Sequence, residues 1–446
     1  MTATVAIAPS KVGRVRFAIL AVIFAITVVN YGDRAAMSIA APRMSADLGL
    51  SSISLGFVFS AFAWSYVLAQ LPSGLLLDRF GTKWVYGAGI ALWSLFTALQ
   101  GTAGFFTGAA AVGLLFALQL LVGLAEAPSF PANARVVSMW FPTSERGFAS
   151  AVFNSGQYFA PVLFTPLMAW IVDDFGWQEV FGVMGALGVL VAILWARSFS
   201  SPRRQSRVSQ RELDYLVSGG ALVDVDENLG EEARQRARPG VIKELLKNRT
   251  LVGIYVAQYC VVTLTYFFLT WFPVYLVKAR GLTILQAGFV ATLPAMCGFV
   301  GGILGGIISD YIMRRTGSLT IARKTPIIGG MLLSTVIVAC NYATASWMVV
   351  VFMALAFFGK GVGSLGWAVV ADTSPKESPG VSAGLFNTFG NVAGITTPIA
   401  IGYIVALSHG SFSGALTFVS LNALIALLSY LFVVGKIERI ELTQSA

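Results

Sequence analysis

The stretch Gly74-Leu75-Leu76-Leu77-Asp78-Arg79-Phe80-Gly81-Thr82-Lys83 returns 232 positions later as Gly306-Ile307-Ile308-Ser309-Asp310. Each copy ends a long apolar run. Pro142 and Gly147 recur as Pro375 and Gly380, offset by 233. Asn154 recurs as Asn387 at offset 233, and Thr165-Pro166 as Thr397-Pro398 at offset 232. A nearly constant offset across several motifs marks two copies of one unit.

The surrounding chain is a membrane chain. Apolar residues make up 56% of it and charged residues 11%, whereas a soluble domain is about a quarter charged. Crossing the hydrocarbon takes about 20 mostly apolar helical residues. By that measure there are twelve runs: 17–40, 52–77, 83–103, 108–139, 144–172, 179–196, 250–277, 283–309, 324–341, 346–371, 380–406 and 411–435. Backbone groups in lipid must be satisfied within the segment, which predicts helices. The expected fold is therefore an all-α membrane protein with twelve transmembrane helices in two six-helix pseudo-symmetric bundles. These cover 17–197 and 249–435, joined by a linker over 198–248, with tails over 1–16 and 436–446. Repeats of this size place a binding site between the halves near the midplane and let one half rock against the other.

Lys and Arg set the orientation. Arg79, Lys83, Arg146, Arg314, Arg315, Arg323, Lys324, Lys376, most of the linker and both termini share one side, and the other holds only Arg43, Lys278 and Arg280. The positive-inside rule makes the first side cytoplasmic and the chain a multi-pass protein of a bacterial inner membrane. The same placement argues against a nucleic-acid partner. A cleaved signal peptide over the first run is rejected, since its loss would break the even span count and the repeat. The linker carries Arg203, Arg204 and Arg207, then an acidic stretch from Asp224 to Glu232. Ser209 to Val217 within it can form a short amphipathic helix. Cys260, Cys297 and Cys340 are scattered without metal-ligand spacing, so no metal and no cofactor is expected.

Four ionisable residues interrupt the apolar runs: Asp33, Arg34, Glu126 and Lys360. Charge at this depth is costly and marks a pathway or a pair. Arg34 lies 18 residues beyond Arg16, or about 27 Å along a helix. Its planar fork suits a carboxylate, although a fixed ion pair with an acid on another helix also explains it. Lys360 can serve a second carboxylate across the cavity, or pair with a protein acid such as Glu126. Asp33 and Glu126 oppose an anion while ionised; protonated, they lose the charge and donate a hydrogen bond. That is the basis of proton symport, with a structural salt bridge the alternative for Asp33. Neutral partners for hydroxyl groups are available in Tyr31, Tyr66, Asn154, Gln157, Gln258, Tyr266, Ser364, Trp367, Asn387 and Asn391, each of which can also join helices.

The opening stretch resembles the loop signature of the major facilitator superfamily. Asn30-Tyr31-Gly32-Asp33-Arg34, Phe59-Ser60-Ala61-Phe62-Ala63-Trp64-Ser65-Tyr66 and Glu126-Ala127-Pro128-Ser129-Phe130-Pro131 are similar to strings of its anion:cation symporter family. Leu269-Thr270-Trp271-Phe272-Pro273-Val274-Tyr275, Phe357-Phe358-Gly359-Lys360-Gly361 and Gly366-Trp367-Ala368-Val369-Val370-Ala371-Asp372 resemble the D-glucarate/galactarate permeases within it. The resemblance implies substrate contact by Arg34, Lys360, Tyr31, Tyr66, Gln157, Ser364, Trp367 and Asn387, and proton coupling by Asp33 and Glu126. It also implies a gating role for Gly74, Asp78, Arg79, Gly81, Lys83, Asp310 and Arg314, where helix-end charge pairing latches one conformation. One departure stands out: the family usually has an arginine seven residues before the span-4 glutamate, and this chain has Gln119.

The expected activity is import of a sugar-acid anion with H+, most simply an aldarate, by a monomer in a lipid bilayer. Galactonate, hexuronates and aromatic diacids remain open as substrates, and so does anion exchange. Gly359-Lys360 lacks the flanking residues of a phosphate loop. No nucleophile or metal cluster points to an enzyme, and a non-transporting sensor would need an output domain larger than the linker.

Overall fold

The computed structural model describes residues 13–142, 145–227, 241–375 and 379–441. Lys11, Lys376, the 228–240 part of the linker, Glu232 included, and residues 442–446 lie outside them. The described chain is helical. Its first half holds α1 (Val15–Leu48), α2 (Ser52–Phe80), α3 (Thr82–Gln100), α4 (Gly108–Glu126), α5 (Ser129–Trp140), α6 (Arg146–Asp174) and α7 (Trp177–Ser198). The linker contributes α8 (Gln210–Ser218) and α9 (Val241–Lys247). The second half holds α10 (Arg249–Tyr266), α11 (Phe272–Lys278), α12 (Ile284–Thr316), α13 (Leu319–Ser334), α14 (Ser346–Val362), α15 (Gly366–Thr373), α16 (Pro379–Leu407) and α17 (Ser413–Leu428).

Among the described residues, ten stretches are long and apolar enough to cross a membrane. Helices α3 and α6 are 19 and 29 residues long but more polar, α6 carrying Asn154, Gln157 and two internal prolines. Together they accommodate the twelve runs. Helix ends follow local chemistry. Ser51 and Asn248 accept hydrogen bonds from first-turn N–H groups of α2 and α10, and Thr283 and Gln286 form a capping box on α12.

Two predicted spans are broken, and both breaks matter. The run 108–139 divides at Ala127-Pro128 into α4 and α5, because Pro128 has no N–H and its ring displaces the carbonyl four residues back. The run 346–371 divides at Gly363-Ser364-Leu365 into α14 and α15. Glu126 is the last residue of α4, and Lys360 stands in the last turn of α14.

The core explains how the halves meet. One apolar cluster draws on both halves, with Val58, Phe59 and Met168 packed with Trp271, Ile401 and Val405. Phe59 meets Trp271 edge-on at 5.4 Å, and Trp271 Nε1 donates to the Pro398 carbonyl at 3.2 Å. This cluster lies away from the face bearing Arg79 and the linker. Toward that basic face the cores separate, with Trp93, Trp140 and Trp195 in a cluster of the first half and its linker. Tyr255, Val369 and Tyr430 belong to one built from the second half. The halves thus share one apolar core away from the basic face, and each has its own core toward it.

Candidate functional site

Arg34 is held before any ligand arrives. Its Nε donates to Glu126 Oε2 at 3.0 Å, and Nη2 stands 2.9 Å from the same oxygen without the alignment to donate. The guanidinium carbon lies 4.4 Å from the Phe62 ring centre, 4.9 Å from Tyr31 and 5.1 Å from Tyr66. This aromatic cage fixes the fork and leaves Nη2 unspent. The ion pair expected as the alternative for Arg34 is therefore present, and Glu126 is its partner. Glu126 has no exposed surface, and its Oε1 has no hydrogen-bond partner among the described residues.

Asp33 is the next residue along α1. It is buried, and neither carboxylate oxygen has a partner among the described residues. Trp93 Nε1 and Thr97 Oγ1 of α3 are likewise buried and unpartnered. The structural salt bridge considered for Asp33 is not formed. A cavity of about 30 Å³ touches Asp33, Arg34, Thr97, Gln100, Gln119 and, from the second half, Tyr266. That is room for one or two waters. Gln119 Nε2 donates to Gln100 Oε1 at 3.0 Å and leaves Glu126 to Arg34.

Lys360 is 7% exposed and has no acid within 4 Å among the described residues. The pairing with Glu126 that the sequence left open is thus not formed. Lys360 Nζ lies 5.2 Å from the Phe357 ring centre and 5.9 Å from that of Tyr158, which belongs to the first half. Its flanking glycines explain the local sequence. A Cβ on Gly361 would stand 2.2 Å from the Gly298 carbonyl oxygen of α12, and one on Gly359 would stand 2.5 Å from the Gly330 oxygen of α13. Only hydrogen fits at either position, so two neighbouring backbones clamp α14 around Lys360.

The neutral candidates divide. Tyr66 stacks on Phe62 at 5.2 Å, inside the cage. Ser364 Oγ donates to the Gly361 carbonyl at 2.6 Å and stabilises the α14–α15 break. Asn387 Nδ2 donates across the halves to Gln70 Oε1 at 2.9 Å, so it acts at present as a bridge. Trp367 is 53% exposed and meets Phe386 edge-on at 5.0 Å. Gln157 is half-buried beside Tyr158 on α6.

At the basic face, Asp78 pairs with Arg135 of α5, while Arg79 is exposed. Gly81 has φ +79°, a conformation that only glycine adopts readily, and it turns the chain from α2 into α3. The Lys83 carbonyl accepts from Trp195 Nε1 at 3.0 Å. In the second copy, Asp310 and Arg314 are exposed, and neither forms an ion pair among the described residues. The pairing there is between Arg323 Nε and Asp372 Oδ2 at 2.8 Å, with Arg323 Nη1 donating to Ser309 at 3.0 Å. A helix-end ion pair is thus present at Asp78 in the first half, and in the second half it is formed by Arg323 and Asp372.

A family model described as Major Facilitator Superfamily matches residues 23–322. The chain belongs to the Major Facilitator Superfamily. It is 58% identical over 428 residues to the probable galactarate/D-glucarate transporter GudP of Bacillus subtilis, covering 96% of this chain and 94% of that one. Identity to the GudP of Escherichia coli is 56% over 428 residues, covering 96% and 95%. Among solved structures, that of a D-xylose-proton symporter superposes with a TM-score of 0.71 at 15% identity, covering 94% of this chain and 98% of that one. That similarity establishes the fold.

For a superfamily member, the sequence reading missed three residues that matter. Arg135 is a fifth ionisable residue inside a predicted apolar run, legible by the rule that found the other four. Gln70 and Gln100 are span amides of the same kind as those considered, and their partners are set by folding.

Proposed function

We propose that the chain is a proton-coupled symporter that imports the aldarates D-glucarate and galactarate by rocking of 17–197 against 249–435. The carrying observation is Lys360, a buried cation with no acid within 4 Å among the described residues, in the half opposite Arg34. An aldarate has a carboxylate at each end, and Arg34 with its unspent Nη2 and Lys360 supply one cationic partner to each. Charge balance supports coupling. Asp33, Arg34, Glu126 and Lys360 sum to zero with both acids ionised and to plus two with both protonated. Only the doubly protonated site matches a dianion, and release of both protons restores neutrality. Two protons then travel with each dianion, and net charge movement is zero. The basic face is taken as cytoplasmic, in a bacterial inner membrane, with a single chain sufficient.

The experiment is uptake of labelled D-glucarate into proteoliposomes. An imposed pH gradient, acid outside, is expected to drive accumulation, and an imposed membrane potential alone is not. Accumulation driven by potential alone, or by a sodium gradient at constant pH, would overturn the coupling. No accumulation under any gradient would overturn the substrate.

A further inference from the structure

The described linker residues pack on the first half through two acid–arginine–acid triads of the same design. Glu212 of α8 is fully buried. Its Oε2 accepts from Val15 N at 3.3 Å, and its Oε1 accepts from Arg16 N at 3.2 Å and Arg16 Nη1 at 3.4 Å. Arg16 Nε also donates to Glu145 Oε2 at 3.0 Å and Nη2 to Oε1 at 3.5 Å, and the Tyr215 hydroxyl donates to Glu145 Oε1 at 2.6 Å. The second triad repeats the plan. Asp226 Oδ2 accepts from Thr82 N at 3.0 Å, and Oδ1 accepts from Thr82 Oγ1 at 2.9 Å and from Arg135 Nε at 3.0 Å. Arg135 Nη1 donates to Asp78. Each linker carboxylate thus caps the start of a long helix, α1 or α3, and also occupies an arginine that holds an acid of the first half.

A helix start needs only one acceptor, which a neutral Asn supplies as well as Asp. The charge of Asp226 therefore has a second use. Arg135 spends Nε on Asp226, Nη1 on Asp78 and Nη2 on the Val225 carbonyl at 3.2 Å. Asp78 is consequently gripped by one donor, not by the two-donor fork that arginine offers a carboxylate. We propose that Asp226 is a positioning residue of the transport cycle, acting through Arg135 to keep Asp78 singly held and the end of α2 free to exchange partners as the halves rock. The linker is in this respect a moving part of the transporter, built to weaken a latch.

The inference rests on the transport reading, and the test separates the two. Full-length Asp226→Asn in proteoliposomes keeps the cap and removes the charge, freeing Arg135 to grip Asp78 with two donors. The expected result is a fall in D-glucarate turnover of about threefold to tenfold, with KM within twofold and the thermal midpoint unchanged. Asp226→Glu is expected to restore most of the rate. Unchanged turnover, a fall matched by a loss of thermal stability, or failure of Asp226→Glu to recover would overturn the proposal. If Asp226→Asn does not accumulate as folded protein, Asp226→Ser, which also offers an uncharged cap, decides it with the same measurements and criteria. A wild-type chain that takes up no aldarate sinks the transport reading instead.

Discussion

Glu126 and Lys360 stand 234 positions apart, close to the repeat offset, each in the last turn before a broken span. One half uses the position for an acid and the other for a base. Their surroundings then diverge. Glu126 is tied to Arg34 within a cage of Tyr31, Phe62 and Tyr66, whereas Lys360 stands beside the ring faces of Phe357 and Tyr158 with no acid within 4 Å among the described residues. A repeat supplies matching backbone frames, and side-chain chemistry gives the first half an acid bound to an arginine and the second a cation among aromatic rings. Such asymmetry suits a solute with two like ends that must be gripped and then let go.

The largest expected effect on transport breaks the comparison at its free end. Lys360→Asn removes the counter-charge of one carboxylate, a charge-assisted contact of about 2–3 kcal/mol, or on the order of 30- to 150-fold in D-glucarate uptake efficiency. Uptake of a monoacid such as galactonate is expected to change by less than about threefold. Equal losses for diacid and monoacid in parallel assays would remove the two-carboxylate assignment.

A second prediction concerns stability and runs the other way. Arg34→Gln strands Glu126 as a buried acid without its cation, a class of change that costs about 3–5 kcal/mol. Lys360→Gln strands nothing and relieves an unpaired charge. Thermal melting of the purified protein is expected to show a clear loss for the first and none for the second. Similar melting of both variants would mean that the Arg34–Glu126 pair contributes no net stability.

The smallest effect sharpens the titratable end. Gln119→Arg places a cation about two helical turns from Glu126, where it favours the ionised carboxylate. The pH profile of uptake is expected to move toward acid, with little change in maximum rate. A superimposable profile would detach Gln119 from coupling.

Much of the fold was open to reading because lipid imposes a coarse rule. Helices of about 20 apolar residues are required, and glycines, prolines and loop charges recur at a fixed offset. The span breaks after Glu126 and Lys360 escaped that rule, since hydropathy does not register a missing N–H at Pro128. The site was partly legible. Asp33, Arg34, Glu126 and Lys360 stood out because charge in an apolar run is expensive wherever the run folds. Their pairing did not stand out, because two cations and two acids can combine in more than one way within the same helices.

The order of residues by itself determined a twelve-run membrane chain, its internal repeat and which charges stand inside apolar runs, since each follows from the cost of exposing polar groups to hydrocarbon. Only the tertiary structure decided that Arg34 takes Glu126, that Lys360 has no acid partner among the described residues and that Asp226 reaches Arg135. Those outcomes depend on which helices approach within about 3 Å of side-chain contact, and close approach across hundreds of residues is a property of packing, not of local sequence.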